Sequence, residues 1–445
     1  MNTPICDFVK KYSEKAPLRL HIPGHKGKKL LGFEQYDITE IEGADCLYEA
    51  CGIIAESEKN ASALFGCDTF FSAEGSSQCI RAMCDLICRY AKELRRRPLI
   101  AAARNAHRTF LSAAALLDFD VVWVFPENEG SYLSCSFTAE YLDEFFSKQD
   151  QKPIAFYLTS PDYTGKTADI ARISEVCRKH GVLLAVDAAH GAYMKFLPHS
   201  TFPTDLGADV CCSSAHKTLP ALTGAAYLHI SPSAPEIFSQ QAKNSLALFG
   251  STSPSFLILQ SLDALNRYLT EYPEKLARFI PKAALLKNRL EQQGYSLFGE
   301  EVLKLTVCPK GYGYRGYELA RELSARNIFC EFADPDFTVL TLTPELCDEE
   351  LQLLENALLN IPKKAAVREY PPQISKATPA LSIREAMLSP SQSVWVNECE
   401  GRVLADASVG CPPAVPILVS GELIDRCARE AFDYYGIKQI SVVKL

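Results

Sequence analysis

The sequence predicts an α/β protein with a mostly parallel central sheet. Short β-rich runs alternate with helical patterns between about residues 99 and 230, and this order is typical of a parallel sheet covered by helices on both faces. Polar residues also cluster where these runs end. The predicted strands cover residues 99–103, 121–125, 154–158, 182–186, 210–213 and 225–230.

Composition and charge narrow the class of protein. The chain has 445 residues, 47% of them hydrophobic, with 46 basic and 54 acidic side chains and a net charge of −8. This composition is typical of globular proteins and excludes disorder as the main state. The one short cluster of basic residues is the arginine triplet at 95–97, which is too small to indicate binding to the phosphate backbone of a nucleic acid. We therefore expect no nucleic-acid partner.

The sequence also gives expectations about location and cysteine chemistry. No stretch approaches about 18 uncharged apolar residues, and charged residues interrupt the first twenty, so we expect a cytoplasmic protein without a membrane partner. The 17 cysteines are odd in number and accompany no export signal, which favours reduced thiols. Cys79, Cys84 and Cys88 have a spacing that favours a buried helix face over metal ligands, and Cys211 and Cys212 lie in a predicted strand. We predict no metal site.

Four domains are predicted along the chain. They are an N-terminal arm with a Pro-Gly-His-Lys loop (1–50), a large domain (51–275), a small α+β domain (276–368) and a C-terminal module (369–445). The small domain is predicted to have strands at 302–307, 329–332 and 338–341, and helices at 316–326 and 348–359. In the C-terminal module, the three prolines of 411–416 exclude regular structure, because proline fixes φ and removes an amide donor.

Two residues at strand ends carry the first chemical signal. Ligands of open parallel sheets bind beyond the carboxyl ends of the strands. Lys217 follows the run 210–213, and a desolvated lysine there can form a Schiff base; the alternative is a solvated loop lysine. Asp187 ends the run 182–186, where a carboxylate can hold a proton on a heterocyclic nitrogen; the alternative is a turn cap.

Further segments complete the pattern. Gly75, Ser76 and Ser77 begin a predicted helix and offer amides, hydroxyls and a positive dipole end to a phosphate, although ordinary capping explains such a segment as well. His107 follows the run 99–103, where an imidazole can stack on a planar ring; a lone histidine is more often structural. The basic loop at 21–27 is a further candidate part of the site, and a surface turn explains it equally well. Five of the eight histidines lie in these segments, which together indicate a pyridoxal phosphate (PLP) site.

In their order along the chain, these segments resemble the Orn/Lys/Arg decarboxylase family of fold type I PLP enzymes, in its shorter bacterial branch. The resemblance implies an aspartate aminotransferase-like fold, and it extends into the C-terminal module at 381–386 and 412–422. Its motifs are His-Ile-Pro-Gly-His-Lys-Gly at 21–27, Gly-Ser-Ser at 75–77, Arg-Asn-Ala-His-Arg at 104–108, Ser-Pro-Asp-Tyr-Thr-Gly at 160–165, Asp-Ala-Ala-His-Gly-Ala at 187–192, Ser-Ala-His-Lys-Thr-Leu-Pro at 214–220 and Ser-Thr-Ser-Pro-Ser at 251–255.

The resemblance implies roles for the matched residues. Lys217 is the lysine that binds the cofactor aldehyde, Asp187 pairs with the pyridine nitrogen, and His107 stacks on the ring. Lys217 and His107 are also the candidates for the acid that protonates Cα. The other implied cofactor-binding residues are Gly75, Ser76, Ser77, His190, Ser214 and His216, with Ser251 and Ser253 approaching from a partner subunit. A homodimer or a higher even oligomer with shared active sites is therefore implied, with 51–275 as the PLP-binding domain.

The implied reaction is decarboxylation of arginine, lysine or ornithine to the amine and CO2, feeding polyamine synthesis. Two alternatives stay open: another PLP reaction, such as that of an aminotransferase or a β-eliminating lyase, and a non-catalytic protein that keeps the fold. Ala188 stands where many short-branch members have glutamate, and the segment after Gly43 also departs from the family pattern. Both departures put the substrate in question more than the cofactor. Glu422 and Asp45 are weak candidates for the group that binds the distal cation of the substrate.

Overall fold

A computed structural model describes residues 1–127, 131–373, 376–406 and 414–444 of the chain. Residues 411–413 of the predicted proline-rich break lie outside the described residues. Among the described residues, no helix has both the length and the apolar character that crossing a membrane requires.

The described elements follow the alternating order that the sequence predicts. The helices are α1 (Pro4–Glu14), α2 (Ile53–Phe65), α3 (Gly75–Glu93), α4 (Arg108–Leu117), α5 (Ala139–Ser147), α6 (Ile170–His180), α7 (Ala215–Thr218), α8 (Glu236–Ala247), α9 (Phe256–Tyr268), α10 (Tyr272–Gln293), α11 (Gly316–Ser324), α12 (Asp348–Leu359), α13 (Ile383–Leu388) and α14 (Arg426–Tyr434). The strands are β1 (Asp68–Ser72), β2 (Leu99–Ala103), β3 (Asp120–Val124), β4 (Ala155–Thr159), β5 (Leu183–Asp187), β6 (Val210–Ser213), β7 (Ala226–Ile230), β8 (Ser296–Phe298), β9 (Lys304–Cys308), β10 (Phe332–Ala333), β11 (Thr338–Thr341), β12 (Ser391–Trp395) and β13 (Gln439–Val443).

The chain forms two compact units, each assembled from separate segments. One unit comprises Met1–Pro98 and Cys177–Leu276, and the other comprises Leu99–Val176 and Ala277–Leu445. The four contiguous domains of the sequence analysis remain a prediction, because this division groups the chain in a different way.

The first unit is built around buried strands in the order β1, β7, β6, β5. β5 and β6 run parallel, whereas β7 runs antiparallel to both β6 and β1. Every residue of β6 and β7 is buried, which explains their nearly continuous apolar sequences. Helix α3 packs against β6 and β7 and carries one apolar face, in which Cys79, Cys84 and Cys88 are buried.

The second unit contains parallel strands in the order β4, β2, β3. It also contains an antiparallel sheet in the order β10, β11, β9, β8 and the antiparallel pair β12 and β13. Around that pair, the C-terminal module has its own apolar core, which includes Leu404, Phe432 and Val442. The α/β class with a mostly parallel sheet is confirmed.

Seven strands agree closely with the sequence predictions, and the other six differ. β2, β6 and β11 have the predicted bounds, and β3, β4, β5 and β7 differ by one residue at one or both ends. The sequence analysis missed β1, an antiparallel edge strand, the three-residue β8, and the pair β12 and β13. It predicted β9 at 302–307, whereas that strand covers Lys304–Cys308. It also placed a strand at 329–332, but β10 begins at Phe332, and Phe329 is 76% exposed.

Cysteine burial is as predicted at the positions singled out. Cys79, Cys84, Cys88, Cys211 and Cys212 are all buried, and the sixteen cysteines of the described residues are free thiols. Burial raises the pKa of the Cys79 and Cys88 thiols to about 12, so both are protonated and unreactive at neutral pH.

A buried ion pair joins the residue after β2 to the C-terminal module. Arg104 Nη2 lies 2.6 Å from Glu422 Oε2, and both side chains are almost fully buried. Glu422 also accepts a hydrogen bond from the amide of Val419, and the Arg104 guanidinium lies 5.2 Å from the ring of Trp123. Burial lowers the pKa of Arg104 and raises the pKa of Glu422, against the attraction between the two charges. Each of the two buried charges is therefore stabilised only while its partner is present.

We expect Glu422→Ala to lower the free energy of unfolding by about 3–5 kcal/mol, because it leaves the Arg104 charge buried without its partner. Urea unfolding measures this change. The matched control is Glu140→Ala, which breaks the exposed pair with Arg172 and is expected to cost at most about 1 kcal/mol. Equal costs for the two variants would show that the buried pair has no special role in stability.

Candidate active site

The candidate lysine lies where two parallel strands end. Lys217 belongs to the short helix α7, directly after β6, and its Nζ lies 3.1 Å from Nε2 of His190. His190 lies in the turn after β5, and the amide of Ser214 donates to the carbonyl of Ala189 in the same turn. The ends of β5 and β6 therefore bring together an amine and an imidazole that are 27 residues apart in the sequence, as expected for the carboxyl ends of parallel strands.

Asp187 is the last residue of β5 and is 2% exposed. Its register partner on β6 is Cys212, whose Sγ lies 3.6 Å from Asp187 Oδ1. The same oxygen accepts a hydrogen bond of 3.1 Å from the amide of Ala189. Burial, and then the charge of Asp187, raises the pKa of the Cys212 thiol well above its usual value. The site thus contains a buried carboxylate beside an unreactive thiol.

The helix α3 begins at Gly75, the first residue of the predicted phosphate-binding segment. Gly75 has a φ of 72°, which favours glycine, and its amide donates to the carbonyl of Gly224 over 2.7 Å. Ser76 and Ser77 follow Gly75 in the first turn of α3, and their assignment to phosphate binding stays a prediction. Both serines are half-buried.

Other predicted cofactor residues lie at defined positions in the same unit. Ser214 Oγ is buried and has no hydrogen-bond partner among the described residues. His216 Nδ1 lies 2.8 Å from the carbonyl of Ala225, so its proton is on Nδ1. The amide of Ser251 donates to the carboxylate of Glu74, which precedes α3, and Ser251 Oγ accepts from the amide of Ser253.

His107 is described by its contacts inside the second unit. It caps α4, because its Nδ1 accepts the amide of Thr109 over 3.1 Å. The neutral ring therefore carries its proton on Nε2. The stacking role of His107 stays a prediction.

Sequence reasoning missed His229, a histidine inside β7. Its ring is fully buried, with Nδ1 at 3.0 Å from Thr69 Oγ1 and Nε2 at 2.8 Å from Ser213 Oγ. Burial lowers the pKa of His229 to about 3, so the ring is neutral at physiological pH. It supports Ser213, the residue before the Ser214–Lys217 segment. The available signal was a histidine within an otherwise apolar strand.

The two carboxylates considered for the substrate's distal cation have other partners. Glu422 pairs with the buried Arg104. The Asp45 carboxylate accepts hydrogen bonds from backbone amides that include those of Cys51, Gly52 and Ile54, and these bonds lower its pKa. Both carboxylates therefore hold the fold together, and we leave them out of the proposed substrate site.

The residues of the first unit fit PLP in chemical type. Lys217 provides an amine, Asp187 a buried carboxylate, and the start of α3 a helix N-terminus, a type of site that favours anions. The buried Ser214 hydroxyl is a polar group that an additional ligand would satisfy. Among the described residues, no group of three or more His, Cys, Asp or Glu side chains has the geometry to hold a metal ion.

Comparisons with known proteins give matches over nearly the whole chain. Family models for the Orn/Lys/Arg decarboxylase major domain and C-terminal domain match residues 3–308 and 363–441. The chain is 27% identical to an arginine decarboxylase of Bacillus subtilis, over 95% of this chain and 91% of that protein. An arginine decarboxylase of Halalkalibacterium halodurans is also 27% identical, over 95% and 91%.

Solved structures show the same fold. Lysine decarboxylase A of Pseudomonas aeruginosa superposes with a TM-score of 0.81 at 16% identity, covering 99% of this chain and 80% of that one. A lysine decarboxylase of Francisella novicida gives a TM-score of 0.78 at 14% identity, covering 99% and 81%. The two family models together span most of the sequence, and the chain therefore belongs to the Orn/Lys/Arg decarboxylase family, whose members are PLP-dependent amino-acid decarboxylases of fold type I.

Proposed function

We propose that this enzyme removes the α-carboxylate of a basic amino acid, arginine, lysine or ornithine, to give the amine and CO2, and that the amine feeds polyamine synthesis. The observation that carries the proposal is the group at the ends of β5 and β6. There the amine of Lys217 contacts His190, and the buried carboxylate of Asp187 lies on the adjacent strand end.

Each residue of this group has a proposed task. Lys217 would bind the cofactor aldehyde, and Asp187 would hold a proton at the ring nitrogen. Ser76, Ser77 and Ser214 would bind the phosphate through amides and hydroxyls. When bound, PLP supplies an electron sink for the electron pair released when the bond from Cα to the carboxylate breaks. The protein contributes orientation and a fixed electrostatic environment.

The contact of Lys217 with His190 provides a proton path. At 3.1 Å, Lys217 Nζ and His190 Nε2 are within hydrogen-bond distance, so a proton can pass between the two atoms. Lys217 must lose its ammonium proton before it acts as a nucleophile, and an imidazole is a suitable acceptor near neutral pH. We propose that His190 takes this proton. His107 stays the proposed ring-stacking residue, on the strength of its motif.

Arginine is the first substrate to test. The relatives named above are arginine decarboxylases, and their similarity extends over nearly the whole chain. Arginine, lysine and ornithine differ only in the side-chain tail, in its length and its distal cation. Their α-amino and α-carboxylate groups would present the same atoms to Lys217 and the cofactor.

Release of CO2 tests the reaction. We expect the purified enzyme with added PLP to release CO2 from at least one of L-arginine, L-lysine and L-ornithine, without forming the keto acid. Lys217→Ala is expected to lower turnover at least about a thousandfold, because the amine is lost. Borohydride is expected to attach the cofactor to the wild-type enzyme but not to this variant. The exposed Lys148→Ala serves as control. Keto-acid formation without CO2 would instead favour an aminotransferase.

The role of Asp187 has its own test. We expect Asp187→Ala to retain bound cofactor but to lower turnover at least about a hundredfold, because the ring nitrogen loses the carboxylate that keeps it protonated. Cofactor content is measured by absorbance and turnover by CO2 release. Asp205→Ala, which breaks the ion pair with Lys195, is the matched control and is expected to be near normal. Near-normal turnover in Asp187→Ala would refute the assigned role.

We also propose that the enzyme is a homodimer whose subunits cover each other's N-terminal arms. The segment 18–31 exposes large apolar side chains to an unusual degree: Leu18 is 85% exposed, Leu20 83%, Leu30 84% and Leu31 74%. Apolar side chains grouped in this way are typical of a surface that a partner covers. The implied approach of Ser251 and Ser253 to a neighbouring active site supports a second copy of this chain as the partner.

We expect the double variant Leu18→Ser/Leu30→Ser to raise the dimer dissociation constant at least about a hundredfold, because each leucine buried in a symmetric interface counts twice. Sedimentation velocity measures the dissociation constant. The control is Leu285→Ser/Leu353→Ser, which changes two exposed leucines on α10 and α12. An equal effect of both pairs, or a wild-type monomer, would contradict the proposed interface.

A further inference from the structure

Gln78 lies directly after the Gly-Ser-Ser segment at 75–77 and is 1% exposed. Its amide group makes hydrogen bonds in three directions. Oε1 lies 2.5 Å from Ser72 Oγ, and Nε2 donates to Tyr48 Oη over 2.7 Å and to the carbonyl of Leu246 over 2.9 Å. One buried side chain therefore connects α3 with the end of β1, the 3-10 helix Leu47–Glu49 and the end of α8.

The orientation of this amide is determined by its partners. A backbone carbonyl can only accept a hydrogen bond, so the nitrogen of Gln78 must face Leu246. The oxygen is then left to accept the proton of Ser72. All three contacts require a neutral group that both donates and accepts, which fits glutamine and excludes glutamate.

The network continues to the second segment that the resemblance assigns to phosphate binding. Ser72 Oγ also accepts the amide of Glu74 over 3.2 Å. The carboxylate of Glu74 in turn accepts the amide of Ser251. Gln78 is therefore linked through two residues to the segment 251–255.

Gly250 brings that segment into direct contact with the network. A Cβ atom at this position would lie 1.8 Å from Tyr48 Oη and 2.3 Å from Gln78 Nε2. The backbone before Ser251 therefore packs against the hydrogen bond between Tyr48 and Gln78, with no space for a side chain. Both predicted phosphate-binding segments thus rest on the same buried amide.

We propose that Gln78 is a positioning residue for the phosphate group of the cofactor. It holds the first turn of α3 and the segment 250–251 in place from behind, without contacting the cofactor itself. A helix terminus binds an anion well only if its N–H groups stay aimed at it, and a buried amide with every bond satisfied resists displacement. This inference rests on the proposed function in one respect, that PLP binds at this terminus.

Two ligands that differ only in the phosphate test the inference. Pyridoxal has the ring and aldehyde of PLP but no phosphate, and the apoenzyme is titrated with each by absorbance and fluorescence. For Gln78→Met, which keeps the side-chain length but loses the hydrogen bonds, we expect the dissociation constant of PLP to rise about tenfold. The constant of pyridoxal is expected to change less than about twofold. In Gln78→Met, we also expect inorganic phosphate to compete less well with PLP, because its own binding weakens along with that of PLP.

The matched control is Gln240→Met, the same substitution at an exposed glutamine of α8 whose amide contacts Glu236. It is expected to leave both constants unchanged. Equal weakening of PLP and pyridoxal in Gln78→Met, or no weakening of PLP, would overturn the inference. If Gln78→Met fails to fold, as judged by circular dichroism, Tyr48→Phe is measured by the same ratio, since it removes a single hydroxyl from the network.

The outcome is independent of the substrate assignment. If wild type binds PLP more tightly than pyridoxal but releases no CO2 from any basic amino acid, the proposed function fails, and the role of Gln78 is still decided by the ratio of the two constants. If wild type binds neither ligand, both proposals fail.

Discussion

The parallel pairing of β5 with β6 is the constraint on which the candidate site depends. Asp187 and Lys217 are thirty residues apart in the sequence, and the register that sets Asp187 opposite Cys212 places both strand ends at one edge. Both strands are buried, so a shift of one residue would turn each side chain to the opposite face and remove the carboxylate from the site. Sheet packing and active-site geometry are therefore determined by the same apolar residues.

Polar groups in this part of the molecule are nearly all compensated by hydrogen bonds. Asp187 accepts a backbone amide, His229 lies between two hydroxyl groups, and Gln78 uses both ends of its amide. Three hydroxyl groups differ, because they are buried without a partner among the described residues: Ser214 Oγ, Thr218 Oγ1 and Tyr227 Oη. Uncompensated burial costs free energy and persists mainly at functional sites. Of these three groups, the Ser214 hydroxyl belongs to the proposed phosphate site.

The sequence predicted most of the strands, but few of the buried polar residues that surround the strand ends. Strands β2 and β6 were predictable because continuous burial produces continuous apolar runs. Lys217 and Asp187 were predictable because strand ends are special positions in parallel sheets. Gln78 was not, since its partner Leu246 is 168 residues away and nothing local marks the contact. Asp45 and Glu422 were candidates in the sequence, but their carboxylate oxygens accept hydrogen bonds from other parts of the chain. The sequence does not reveal these partners.

His229 has a consequence for folding that is separate from catalysis. The ring titrates at about pH 3 in the native protein but near 6.5 when solvated. Between these two pH values, His229 binds a proton in the unfolded chain but not in the native protein, so acidification favours unfolding over this range. Above pH 6.5 the contribution is constant. Mild acid therefore weakens the sheet through a residue inside β7 that is uncharged in the native protein.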